Sequence, residues 1–98
     1  MAIINWTFEA ERWLQDIHTY IAIDSAKTAN QVIAGIYKKA QLHKDFPEIG
    51  YQYRTEPEGE IRILLYGHYR IAYLIKDQQQ IDILGVFHGA MAIENHLK

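Results

Sequence analysis

Glu60-Ile-Arg-Ile-Leu-Leu-Tyr66, Tyr69-Arg-Ile-Ala-Tyr-Leu-Ile75 and Ile81-Asp-Ile-Leu-Gly-Val-Phe-His88 follow one another across two short breaks, Gly67-His68 and Lys76 to Gln80. The three runs are rich in Ile, Tyr, Leu and Val, and interruptions of that length suit hairpins, so the stretch predicts a three-stranded antiparallel meander. Strict alternation assigns the faces. Tyr69, Ile71, Tyr73 and Ile75 fall on one side and Arg70, Ala72 and Leu74 on the other. In the last strand Ile81, Ile83 and Phe87 oppose Asp82, Leu84, Val86 and His88. Both faces are therefore largely apolar, as expected of a sheet with helices on one side and a loop, a terminus or a partner on the other. Arg62, Arg70 and His88 are the polar exceptions.

Working back towards the start, Ile3-Ile4-Asn5-Trp6 reads as a short strand. Thr7 supplies a hydroxyl at a helix entrance, with acidic residues in the turn that follows. Trp13, Leu14, Ile17, Tyr20 and Ile21 recur at three- and four-residue spacing and form one apolar stripe, while Glu9, Glu11, Gln15 and Asp16 take the opposite side. Ser25 restarts the pattern as a second N-cap. From Ala26 to about Asp45 the set Ala29, Val32, Ile33, Ile36, Tyr37 and Ala40 predicts a second amphipathic helix, ended by Pro47 and Gly50. The short Ile23-Asp24 connection makes the two helices an antiparallel hairpin whose shared stripe covers the sheet. Tyr51-Gln-Tyr-Arg-Thr55 is a further strand, and Glu56-Pro-Glu-Gly59 a turn. The expected fold is α+β: an N-terminal strand and an α-helical hairpin packed on a twisted antiparallel sheet, in β-α-α-β-β-β order. Residues 1–98 form one domain.

Composition narrows the chemistry. With no cysteine there is neither a disulfide framework nor a thiolate zinc site nor a cysteine nucleophile, and a reducing cytoplasm is the default compartment. Apolar runs fall short of the roughly 18 residues that span a bilayer, and Met1-Ala2-Ile3-Ile4 lacks the basic and long apolar regions of a signal peptide. A formal charge of −2 argues against a broad electrostatic grip on nucleic acid. No spaced ligand set accompanies His18, His88 or His96, so no metal is assigned, and no cofactor is called for.

The order strand, helix pair, meander now joins particular residues. Ile17-His-Thr-Tyr-Ile-Ala22, the Phe46-Pro47 helix exit before Gly50, Tyr69-Arg-Ile-Ala-Tyr73 and Ile83-Leu-Gly-Val-Phe-His-Gly89 together resemble the RelE/ParE superfamily of toxin–antitoxin toxins. The resemblance covers nearly the whole chain. Tyr-Ile-Ala at the end of the first helix and His-Gly after the last strand look closer to the ParE branch.

That resemblance implies a cytoplasmic toxin of a type II system, neutralised by a cognate antitoxin in a hetero-oligomer, away from membranes. ParE-type members inhibit DNA gyrase; RelE-type members are ribosome-dependent endoribonucleases acting on mRNA. Phosphate transesterification needs a base, an acid and a cation for the developing charge. Here the matching positions would be Arg70, where RelE-type enzymes keep an arginine, and His88, near a histidine of some relatives. Against the nuclease, residues 51 to 75 contain no lysine, and Ala90-Met91 stands where an arginine usually follows His-Gly. The favoured expectation is therefore a ParE-like gyrase inhibitor. The alternatives are the RelE-type nuclease and a degenerate toxin that retains only antitoxin binding. Arg62, Arg70, His88, Glu94, His96 and Lys98 are the candidate target or partner contacts. Each has a structural counterpart: Arg70 pairing with Asp82 across the strands, His88 as a satisfied strand-end histidine, Arg62 as a solvated arginine, and the tail as a terminal helix turn over the sheet.

Overall fold

The structure is a computed structural model and describes residues 3–77 and 80–89. The chain runs β1 (Ile3–Trp6), α1 (Phe8–Ala22), α2 (Ala26–Ala40), a 3₁₀ turn (Gln41–Lys44), β2 (Tyr51–Glu56), β3 (Gly59–Tyr66), β4 (Tyr69–Asp77) and β5 (Gln80–His88). The strands form one sheet in the order β1-β5-β4-β3-β2. It is antiparallel from β2 to β5, and β1 adds in parallel on the outer edge of β5.

Both helices start where a hydroxyl is available. Thr7 accepts the Ala10 N–H at 3.2 Å and donates its own proton to Ile83 O at 2.7 Å, so the cap also ties the helix entrance to β5. Ser25 accepts the Thr28 N–H at 3.1 Å. The second helix ends at Ala40, short of the expected Asp45, because the chain tightens into the 3₁₀ turn, where the Gln41 N–H reaches back to Lys38 O and its neighbours. In the β3–β4 hairpin Gly67 takes φ 58° at the first central position while His68 keeps negative φ, the arrangement of a type II′ turn.

On one face of the sheet Leu64, Ile71, Tyr73, Ile81, Ile83 and Val86 pack against Ala10 and Leu14 of α1 and Ile36 and Ala40 of α2. Burial of each large aliphatic or aromatic side chain there contributes about 1.5–3 kcal/mol. Trp6 joins this layer, its ring centroid 4.6 Å from that of Tyr37. The opposite face gathers Ile61, Ile63, Ala72, Leu74 and Phe87, with Tyr53, Leu84 and Trp13 against them.

The face assignment of β5 differs from strict alternation. Ala72 pairs with Gly85 and Tyr73 with Ile83, so a bulge at Leu84 takes up one residue. Val86 and His88 thereby join Ile81 and Ile83 on the helix side, and Phe87 moves to the other face. Gly85 permits this: a Cβ there would lie 2.5 Å from the Phe87 ring. Because β1 pairs only with Gln80–Ile83, the outer flank of β5 beyond the bulge is left to α1, and Trp13 meets Phe87 edge-on at 4.8 Å.

At the β1 end, Asp82 is the one buried charged residue among those described. Its carboxylate takes Lys76 Nζ at 2.9 Å, Gln80 Nε2 at 3.2 Å and Asn5 Nδ2 at 3.3 Å. Burial alone would raise its pKa, but these three donors and the Lys76 charge outweigh burial and hold it below the usual carboxylate value.

Candidate functional site

Arg62 is not a solvated strand arginine. Its guanidinium donates to Gly50 O at 2.5 Å and Glu48 O at 3.3 Å, meets the Glu60 carboxylate, and has Glu48 Oε2 at 3.8 Å. It thus pins the crossing segment 48–50 to β3. Tyr73 works on the same segment from the neighbouring strand, which explains how 46–50 is held without regular structure.

Arg70 and His88 come from the same end of the sheet but from different faces. Register sets Arg70 opposite Phe87 and His88 opposite Tyr69. The Arg70 guanidinium turns to the chain just past β5, with Nη2 donating to Gly89 O at 3.1 Å. The alternative pairing with Asp82 is overturned by the register, which places Leu74 opposite Asp82 and gives the carboxylate to Lys76. The His88 ring lies 5.7 Å from Tyr69 in a perpendicular contact and 6.3 Å from His68 in a near-parallel one. Around the β3–β4 turn, Leu65, His68, Arg70 and His88 rim an open hollow of about 370 Å³. Arg54, the third arginine of the sheet, pairs with Glu56 at 2.6 Å. Every sheet arginine is therefore partly neutralised or turned onto backbone. Glu94, His96 and Lys98 lie outside the described residues. Among the described residues no three His, Asp or Glu side chains are grouped to hold a metal ion, and no helix is long and apolar enough to cross a membrane.

A second concavity was not legible in the sequence. Trp13, Ile17 and Tyr20 on α1, with Tyr69 of β4 and Val86 and His88 of β5, enclose a groove of about 340 Å³ whose walls are mostly apolar. Asp16 lines it as well. Tyr20 carries the helical spacing of a core residue yet is 77% exposed. Asp16 is exposed, as periodicity assigned it, and lies at the groove's edge. Burial, and then the proximity of Tyr20, raise the Tyr69 pKa above that of a free phenol. The signal available in advance was the surplus of aromatic residues over what the short helix needs to cover the sheet.

No curated protein matches the chain. Among solved structures, one described as the chromosomal ParDE TA system from P. aeruginosa superposes with a TM-score of 0.72 at 20% identity, covering 90% of this chain and 96% of that one. The likeness is one of fold: the strand, helix pair and sheet described above. The family model described as ParE toxin of type II toxin-antitoxin system, parDE, matches residues 4–93. That span runs from β1 through β5, and the chain belongs to the ParE toxin family of type II toxin–antitoxin systems.

Proposed function

We propose that the chain inhibits DNA gyrase by binding it, without turnover, and that a cognate antitoxin silences it by covering the toxin surface. The observation that carries this reading is the divergence of Arg70 and His88. A nuclease centre needs its base, acid and cation converging on one phosphate, whereas these two side chains start from opposite faces of the sheet, share only the rim of an open hollow, and Arg70 already donates to Gly89 O. The partnered state of Arg54 and Arg62 adds to this, since binding of mRNA is driven by free cations along a stripe. The antitoxin is supported by family membership and by the description of the P. aeruginosa structure as a ParDE system. Antitoxin segments that fold on their partner bind as a helix in a groove or a strand on an edge, and both β1 and β2 are edges here.

The deciding experiment runs supercoiling by gyrase and ribosome-dependent mRNA cleavage side by side on the purified chain, with and without the antitoxin expressed beside it. Inhibited supercoiling, relieved by the antitoxin and with mRNA intact, is expected. Rapid mRNA cleavage with gyrase untouched would replace this reading with the endoribonuclease. A chain inert in both assays that still binds the antitoxin would mark a degenerate toxin.

A further inference from the structure

We propose that the groove between α1 and the ends of β4 and β5 is a cage for one cationic side chain, a lysine or arginine of the partner peptide. The identity of that peptide rests on the antitoxin reading above; the chemistry of the cage does not. Three aromatic side chains line the groove, Trp13, Tyr20 and Tyr69, and aromatic faces attract ammonium and guanidinium groups. At the same site stands the Asp16 carboxylate, which is exposed and has no ion-pair or hydrogen-bond partner among the described residues. Asp16 and Tyr20 are one helical turn apart, so charge and ring address the same space. Among the described residues lining the groove, His88 is the only basic one, and none is a lysine or arginine.

The alternatives fail on charge and size. An apolar occupant would bury Asp16 with nothing to compensate it, and an acidic occupant would meet a like charge. Whatever backbone carries it, a groove of about 340 Å³ takes in a side chain and leaves the peptide's backbone outside. One long side chain fits, its stem against Ile17 and Val86 and its head between the rings and Asp16. The rest of the peptide then lies over Tyr20, which accounts for an exposed tyrosine beside a groove that holds so little polar surface.

The test has two arms. In the first, the full chain is titrated with N-acetyl-arginine amide and with its uncharged citrulline counterpart, following the Trp13 indole and His88 ring signals by NMR. Saturable shifts with the arginine compound, absent with citrulline and lost in Asp16→Asn, are expected; equal responses, or none, overturn the cage. In the second, antitoxin affinity is measured for wild type, Asp16→Asn, Asp16→Glu and Tyr20→Ala, against antitoxin whose lysines and arginines are changed singly to Met. Asp16→Asn should weaken binding by up to about fivefold, the reach of an exposed ion pair. Asp16→Glu should restore part of the loss. One antitoxin substitution should weaken binding equally, with no further loss when combined with Asp16→Asn. Tight binding indifferent to Asp16 and Tyr20 overturns the proposal. If wild type binds no antitoxin, the partner reading fails, and the arginine and citrulline comparison still decides the cage.

Discussion

The Tyr73 hydroxyl accepts the Gly50 N–H at 2.9 Å and donates to Pro47 O at 2.8 Å. Tyr73 is fully buried in the middle of β4, so one side chain both fills the core and satisfies two backbone groups of the segment that crosses from α2 to β2. Tyr73→Phe keeps the ring and removes both bonds. Leaving a buried backbone group unsatisfied costs about 1–3 kcal/mol, so the thermal midpoint should fall by roughly 4–8 °C per kcal/mol lost in a domain of this size. A calorimetric scan unchanged by Tyr73→Phe would show that the segment is held by other means.

Arg62 clamps the same segment from β3. Arg62→Met preserves much of the stem while deleting the donors to Gly50 O and Glu48 O. Hydrogen bonds involving charged groups are worth about 1.5–3 kcal/mol each when buried, and the part-buried Arg62 should show the lower end. The variant is expected to lose stability in urea and to gain hydrogen exchange at Gly50 and Tyr51. If the chain inhibits gyrase as proposed, the fraction still folded should retain that inhibition; its loss at full foldedness would return Arg62 to the contact surface.

Asp82 sets the acid side of the stability curve. Its folded pKa is lowered, while the unfolded chain keeps the ordinary value of 3.8. The stabilisation is therefore complete above that ordinary value and disappears as pH falls through the lowered one. Asp82→Asn removes the titration, so its urea midpoint should decline less steeply with acidification than that of the wild type. Parallel declines would mean that the carboxylate contributes nothing to folding.

Tyr37 acts at the alkaline end. Its hydroxyl donates to Glu11 Oε2 at 2.9 Å, and burial, that hydrogen bond and the Glu11 charge raise its pKa to about 12. The neutral phenol is the form the fold prefers, so this contribution is present below the unfolded value of 10.0 and is lost as pH rises through about 12. Comparing wild type with Tyr37→Phe over that window isolates it from Tyr69 and Tyr73, which are also raised. Tyr37→Phe should flatten the alkaline decline, and phenolate absorbance should show one fewer late-titrating tyrosine.

Local signals were legible where local physics decides. The hydroxyls of Thr7 and Ser25 cap the helices, and Gly67-His68 turns the hairpin, because each depends on a few neighbouring atoms. What periodicity missed depends on distant ones. The bulge at Leu84 reverses the faces of Val86 and Phe87, and it is permitted by a contact between Gly85 and a ring two residues on, which alternation does not register. Tyr20 has the helical spacing of a core residue, yet its exposure depends on what packs beside α1, which spacing does not register. Arg62 looked free because its acceptors are backbone carbonyls of Glu48 and Gly50. The family resemblance drew the fold correctly, while Arg70 and His88 needed the register to be told apart.

The parallel pairing of β1 with β5 also bears on how the toxin is made. Asn5 and Asp82 are 77 residues apart, and the strands they join hold the two ends of the sheet's chain path together. Contacts of such separation form late, since the loop between them must close first. During synthesis the first strand therefore waits on the ribosome for nearly the whole domain to follow, with its edge and the core side of α1 uncovered. A message cut or a ribosome stalled before Ile83 yields a chain lacking the strand against which α1 and β1 pack. Partial translation thus leaves an unfinished sheet with α1 and β1 unpacked.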